Sequence, residues 1–352
     1  MHETVKEMSK GVAKTFALYI IVLIIVAAVA AYAGYQYGVS APRPVVKKRY
    51  KMGLVLKTLT NPYFIEMKEE FLRLSEKLGF EARVLATATE QEVERQVSMV
   101  EDLISWGADA ILITADDSAG IVPAFKSCRE KHVICIAVDT PVAGDSPESV
   151  TRADFFIGPD FVDGGEKVVD YVAKLLSPSD PSKAKGKIAI FLGVPGAGST
   201  ILKLKGIKKG LSKYPGLVVV FNQTGMYERA RGASLAEDLL SAHPDVVAII
   251  SENDLMALGA LERLKALKRT DIIVTGMDAI PEACQSILKG ELKASVNQRG
   301  ADQVREAVFA AYKLLAGVPL EKKWVDLPAM LITEDNIVIR IQELSELGMW
   351  PP

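Results

Sequence analysis

Hydrophobic and polar positions divide the chain into two unlike parts. No Asp, Glu, Lys or Arg lies between Thr15 and Pro42, and Phe16–Ala33 is almost wholly apolar. A run of this length predicts a helix that can span a bilayer. A soluble core helix as long as this would show a polar face. Tyr32, Tyr35 and Tyr37 fall where interfacial aromatic residues sit. A cleaved signal peptide is the second reading, because Ala31-Tyr32-Ala33 has the small-x-small form of a cleavage site. The run exceeds a signal's usual apolar core, which favours a retained anchor. No cysteine follows it closely, which excludes a bacterial-type lipid anchor. Lys6, Lys10 and Lys14 precede the run and Arg43, Lys47, Lys48 and Arg49 follow it, so charge does not orient it. Residues 1–34 are read as anchor or signal, and residues 35–50 as a linker.

From Lys51 onward, short apolar runs alternate with segments of helical period. Strands are predicted at Met52–Lys57, Phe80–Leu85, Ala110–Ile113, Val133–Val138, Phe155–Gly158, Lys187–Leu192, Leu217–Phe221, Val246–Ile250, Ile272–Thr275 and Leu292–Val296. Between the first two, Phe64, Met67, Phe71, Leu74 and Leu78 recur on one helix face, opened by Asn61-Pro62 and stopped by Gly79. Val93, Val97, Val100 and Ile104 mark the next helix, ended by Gly107, and Ser177–Gly186 reads as a surface loop. Strands apolar throughout and separated by helices imply parallel sheets covered on both faces. About ten strands exceed one comfortable sheet. The fold class expected is therefore α/β, with two doubly wound parallel-sheet lobes and an N-terminal transmembrane helix.

Composition narrows the function by exclusion. The net charge is -2 over 352 residues, which argues against a nucleic-acid grip. The three cysteines, Cys128, Cys135 and Cys284, form neither a disulfide framework nor a CxxC metal pattern. His2, His132 and His243 belong to no triad or metal constellation. No cofactor and no catalytic residue are expected, and an α/β enzyme would lack its chemistry.

Ligands of open α/β sheets bind at the carboxyl ends of the strands. The residues there are Asn61, Tyr63 and Phe64; Asp139; Asn253; Asp278; and Gln298, with Tyr227 in the loop after Leu217–Phe221. Carboxylates accept from hydroxyls, amides both donate and accept, and aromatic faces stack on C–H faces, so this set suits a sugar. Each residue also has a plainer role: Asn61 and Asn253 as helix caps, Asp139 and Asp278 as turn residues, the aromatics as core or surface. The segment Gly193-Val-Pro-Gly-Ala-Gly-Ser-Thr200 has the look of a phosphate loop, but Ser199 stands where the lysine is required. It is read as a tight strand-to-helix turn.

From Lys51 the chain resembles the type I periplasmic binding proteins of the ribose-binding family, which feed ABC sugar importers. The resemblance is carried by Thr60-Asn61-Pro62-Tyr63-Phe64, Asp139, Asp160 through Gly164-Gly165, Ala242-His243-Pro244-Asp245-Val246, Glu252 through Ala260, Gly276-Met277-Asp278 and Val296-Asn297-Gln298. It implies two lobes joined by three crossings, near Pro159–Asp160, Gln298–Gly300 and Leu327–Thr333. The N-lobe would comprise 51–159 and 299–327, and the C-lobe 160–298 and 328–352. It implies ligand contacts from Asn61, Tyr63, Phe64, Asp139 and Thr140 on one side and Tyr227, Asn253, Met277, Asp278 and Gln298 on the other. Thr140 and Ile201 stand where ribose binders carry arginines, and Met277 where an aromatic is common. Those departures turn the expected ligand from ribose toward another monosaccharide, a polyol or a nucleoside-like molecule.

The resemblance further implies capture by lobe closure at the extracytoplasmic face of the membrane, with an ABC permease and a separate ATPase subunit as partners, and secretion instead if the N-terminal segment is cleaved. A membrane-tethered sugar sensor presenting ligand to a separate receptor is the alternative.

Overall fold

The computed structural model describes Leu18 and residues 20–35 and 49–351. Residues 1–48 and 49–352 are separate units. In the first, residues 20–35 are helical (α1) and exposed throughout. Among the described residues, no helix is long and apolar enough to cross a membrane. The expected transmembrane helix is therefore not found, and its flanks, with most of the 35–50 linker, lie outside the described residues.

The second unit contains two six-stranded sheets. The chain enters through β1 (Lys51–Leu56), α2 (Pro62–Leu78), β2 (Glu81–Ala86), α3 (Val93–Ser105), β3 (Ala110–Ile113), α4 (Val122–Glu130), β4 (Ile134–Val138) and β5 (Phe155–Pro159). It continues through α5 (Phe161–Leu176), β6 (Gly186–Leu192), α6 (Gly198–Leu211), β7 (Leu217–Thr224), α7 (Arg229–Ala242), β8 (Val246–Ser251), α8 (Asp254–Ala266), β9 (Ile273–Met277), α9 (Pro281–Leu288) and β10 (Ala294–Asn297). It ends with α10 (Gly300–Leu315), β11 (Trp324–Leu327), β12 (Met330–Ile332) and α11 (Ile337–Glu346).

The first sheet has the order β11-β5-β4-β3-β1-β2 and the second β12-β10-β9-β8-β6-β7. The two orders match strand for strand. All pairings are parallel except β10 with β12, which is antiparallel. The short β11 and β12 were not expected from the sequence, because Trp-Val-Asp-Leu and Met-Leu-Ile are too brief to show a period. The chain passes between sheets three times, between Pro159 and Phe161, between Asn297 and Gly300, and between Leu327 and Met330. α10 packs back on α2 and on strands of the first sheet, while α5 and α11 pack with elements of the second.

The apolar runs are buried on both faces. Met52, Leu54 and Leu56 cluster with Phe64, Met67 and Phe71 of α2, while Val55, between them, clusters with Leu103 and Phe125. This period-two division is what a sheet sandwiched between helices requires. Cys128 at the end of α4 is joined to Cys135 in β4, seven residues on, and Cys284 is free and buried. This single link was not foreseen; the tight α4–β4 turn, closed by Val133 N–H donating to the Cys128 carbonyl at 2.9 Å, creates it.

One polar cluster braces the crossing between β10 and α10. Arg340 of α11 is 1% exposed. Its guanidinium donates to both oxygens of Glu66 on α2, to Glu343 at 2.9 Å and to the Ala279 carbonyl at 3.0 Å. Glu66 also accepts from Ala301 N–H at 3.3 Å, and Glu343 from Asn297 Nδ2 at 2.9 Å. The residues on either side of the crossing are thus tied to α2 of one lobe and α11 of the other. Removing only the cation leaves the buried Glu66 carboxylate uncompensated, which costs about 3–5 kcal/mol. Arg340→Ala is accordingly expected to lower unfolding free energy by that order in urea titrations of the full chain, with Glu66→Met/Arg340→Met losing clearly less. Equal losses from single and double variants would refute the brace.

Candidate functional site: a polar cleft between the lobes

The cleft is built from the residues that end strands and begin helices. Asn61 caps α2, its Oδ1 accepting from Tyr63 N–H at 3.0 Å. That bond fixes the side chain and leaves Nδ2 to donate across the cleft to Asp278 Oδ2 at 3.1 Å. Asn253 repeats the device on α8, with Oδ1 accepting from Met256 N–H at 3.0 Å and Nδ2 donating to the Tyr227 carbonyl at 3.1 Å. Capping and lining the cleft are therefore not alternatives for these residues.

Asp139 follows β4 and Asp278 follows β9, the equivalent strand of the other sheet. Asp139 Oδ1 accepts from Tyr63 Oη–H at 2.9 Å, and Oδ2 accepts from Thr140 Oγ1–H at 2.8 Å and faces Lys57 Nζ at 3.4 Å. The Tyr63 hydroxyl in turn accepts from Gln303 Nε2 at 2.9 Å. Asp278 accepts from Asn61 on one oxygen and Gln298 Nε2 on the other. Asp139, Tyr227 and Asp278 all have positive φ, at 64°, 63° and 121°. Such backbone costs about 1–3 kcal/mol at each non-glycine residue and clusters where side chains must be aimed.

The glycine-rich turn after β6 lines the C-lobe side. A Cβ at Gly193 would lie 1.9 Å from the Tyr227 ring, so only glycine lets that ring come so close to the turn. The Tyr227 hydroxyl shares a 2.8 Å hydrogen bond with Thr200 Oγ1. Lys203 Nζ donates to the Glu252 carbonyl at 2.9 Å and sits 4.9 Å from the Tyr227 ring centroid. At the mouth the same turn meets the N-lobe: Gly198 N–H donates to Ser118 Oγ at 3.1 Å, and Ser118 N–H to the Gly196 carbonyl at 3.4 Å. The lobes are thus closed on one another, and the lining residues enclose only about 10 Å³, roughly the space of one water molecule.

Eight of the ten expected residues meet in this cleft: Asn61, Tyr63, Phe64, Asp139, Tyr227, Asn253, Asp278 and Gln298. Two do not line it. Thr140 turns its hydroxyl onto Asp139, and Met277 packs in the C-lobe core with Ile190 and Val296, because consecutive strand residues face opposite ways. Lys57, Glu90, Ser199 and Lys203 also line the cleft. Lys57 stands at the end of an apolar strand, so the strand-end rule reached it, but the expected set began at Asn61. Glu90 sits in the loop after β2, where nothing in the local pattern marks it.

Burial governs the electrostatics. Glu90 is pushed up to about 8 by loss of water, with Lys57 opposing and Asp278 and Asp116 reinforcing the shift. Glu252 is raised to about 8 and Asp116 to about 7, again chiefly by burial. Asp278 is raised to about 6 by burial, against Lys203 and its hydrogen bonds from Asn61 and Gln298. For Lys57, burial disfavours the charge, but Asp139 and then Glu90 outweigh it and the ammonium is held above its ordinary value. The arrangement can hold a hydroxyl-rich molecule by many hydrogen bonds from both lobes; it presents no nucleophile paired with a base.

Comparison with known proteins agrees with this geometry. A family model described as "Periplasmic binding protein domain" matches residues 52–319. The ribose import binding protein RbsB of Bacillus subtilis is 32% identical over 288 residues, covering 82% of this chain and 88% of the relative. The xylitol-binding protein of Mycolicibacterium smegmatis is 27% identical over 256 residues, covering 72% and 69%. Among solved structures, the Caulobacter myo-inositol binding protein bound to myo-inositol superimposes with a TM-score of 0.75 at 29% identity, covering 88% of this chain and 99% of that one. The chain belongs to the periplasmic binding protein family.

Proposed function

We propose that the chain is an extracytoplasmic solute-binding protein that captures a monosaccharide or related polyol between two closing lobes and delivers it to an ABC import permease. The observation that carries this reading is the cleft itself, in which two equivalent carboxylates, Asp139 and Asp278, and their amide and tyrosine partners come from opposite lobes. The chain is not an enzyme. The lobes are assigned as 51–159 with 299–327 and 160–298 with 328–352, moving about the three crossings. In the bound form Asn61, Tyr63, Phe64, Asp139, Tyr227, Asn253, Asp278 and Gln298 contact the ligand, joined by Lys57 and Lys203. The two lysines supply, from just after β1 and from α6, the positive charge that ribose binders supply as arginines at the positions of Thr140 and Ile201. A lysine is a point donor rather than a fork, so the hydroxyl pattern read differs from that of ribose. Ribose, xylitol and myo-inositol, the ligands named for the three relatives above, are polyhydroxylated and uncharged.

We also assign the charge-free segment from Thr15 to Pro42 to membrane attachment, retained as an anchor. Its apolar length supports this, and tethering would raise the binder's effective concentration at the permease. In cells, the protein is expected to stay with membranes through alkaline carbonate extraction; recovery in the soluble fraction, shortened at its N-terminus, would show cleavage instead.

Two further outcomes test the site. Asp139→Ala or Asp278→Ala strands donors that are otherwise satisfied, and each is expected to weaken the tightest-binding sugar or polyol by roughly tenfold to a hundredfold in calorimetry. Unchanged affinity would overturn the assignment. The second is pH dependence. Glu90 and Asp278 have raised pKa values in the closed cleft and return toward ordinary values when opening hydrates them. Closure therefore takes up protons, its stabilisation is complete below the ordinary carboxylate range, and it is lost as pH rises through about 6 to 8. Small-angle scattering without ligand is expected to show a more compact protein at pH 5 than at pH 8.5; the reverse trend would refute it.

A further inference from the structure

Two buried lysines line the cleft, and they are compensated differently. Lys57 Nζ lies 3.4 Å from Asp139. Lys203 is 4% exposed and makes no salt bridge among the described residues. An ammonium withdrawn from water is costly unless other groups meet it. Three groups do so here. Lys203 Nζ donates to the Glu252 carbonyl at 2.9 Å, and it lies 4.9 Å from the ring centroid of Tyr227 and 5.4 Å from that of Phe161. Both rings are within the roughly 6 Å reach of a cation–π contact. One hydrogen bond is made, so the ammonium keeps two donors for a ligand in the cleft.

Phe161 does not itself line the cleft. It is the first residue of α5, directly after the crossing from β5. Its place follows from backbone contact between α5 and α6. A Cβ at Gly165 would lie 2.6 Å from the Lys203 carbonyl oxygen, and one at Gly206 would lie 2.3 Å from that of Val162. Glycine at both positions lets the two helices touch. Phe161 lies one turn before Gly165 on the same face of α5, so the contact that sets Lys203 against α5 also sets the ring against its ammonium.

Resting on the sugar-binding reading above, we propose that Phe161 is a positioning residue for ligand binding, whose ring holds the Lys203 ammonium and compensates its charge so that two N–H donors stay with the cleft. A lysine side chain is otherwise among the most costly to order. α5 and α6 belong to the same assigned lobe, so this seat needs no closure to form. Its contribution grows on closure, because a cation–π contact strengthens as the cation loses water. The ring thereby favours the closed, liganded form over the open one.

The test is calorimetry on the full chain with ribose, allose, glucose, xylitol, sorbitol and myo-inositol, continued with whichever binds most tightly. Phe161→Leu is expected to weaken that compound roughly threefold to thirtyfold. Loss of packing has the same sign, so the deciding variants carry 4-fluoro-, 3,5-difluoro- and 3,4,5-trifluorophenylalanine at position 161. Fluorine withdraws negative charge from the ring face and leaves the ring's shape nearly unchanged. Affinity is expected to fall stepwise along this series while the urea unfolding midpoint stays level. Equal affinity across the series, unchanged affinity in Phe161→Leu, or affinity that falls only in step with the midpoint would each overturn the proposal and leave the sugar-binding reading intact. Failure of all six compounds to bind the unaltered chain would overturn that reading and the proposal with it.

Discussion

Asp139 and Asp278 can be buried between the lobes only because donors from both lobes meet them. A carboxylate withdrawn from water carries a desolvation cost of several kcal/mol unless each oxygen is hydrogen-bonded. Here Tyr63, Thr140 and Lys57 answer Asp139, and Asn61 and Gln298 answer Asp278. The bond from Asn61 of one lobe to Asp278 of the other makes satisfaction conditional on closure. Much of the surrounding structure serves that condition: the caps that fix each asparagine, the positive-φ residues that aim each aspartate, and the glycine turn on which Tyr227 lies.

The two sheets share one strand order, and the equivalence extends to the chemistry. β4 and β9 occupy the same place in their sheets, and each ends in an aspartate at positive φ. At the crossing between β10 and α10, which also carries Gln298 into the cleft, Glu66 and Arg340 tie α2 to α11 around the entry to α10. α2 thus carries cleft residues in its first turn and the brace in its second. A displacement of that helix would be felt at both ends, which is the mechanical coupling a hinge requires.

How much of this could be read beforehand follows from where the information lies. The ten longer strands are legible because parallel strands buried on both faces are apolar throughout, as in Ala-Ile-Leu-Ile of β3. β11 and β12 are not, since three or four residues at a sheet edge carry no period and their place depends on a distant partner. Eight cleft residues are legible because strand ends converge in this topology. Thr140 and Met277 show the limit: each neighbours a cleft aspartate in sequence, yet strand alternation and a local hydrogen bond turn it away. Glu90 shows the opposite limit, a loop carboxyl that no strand end or helix start marks, yet which lines the cleft once the two sheets are assembled.

The same reasoning separates what family membership fixes from what this chain determines for itself. The family sets the two lobes. On the proposed reading, Lys57 and Lys203 stand in for the two fork-shaped donors of ribose binders, and Glu90 joins them in the cleft. Lys57 acts on Asp139 and on Glu90 together, so charge in the cleft is shared rather than paired one to one, and burial makes the closed state bind a proton at Glu90 more firmly than a hydrated one would. The ligand that best stabilises closure must therefore satisfy the hydroxyl-reading aspartates and the third carboxyl together. A neutral polyol meets both, since a carboxylate oxygen accepts from a hydroxyl and a protonated carboxyl can also donate to one.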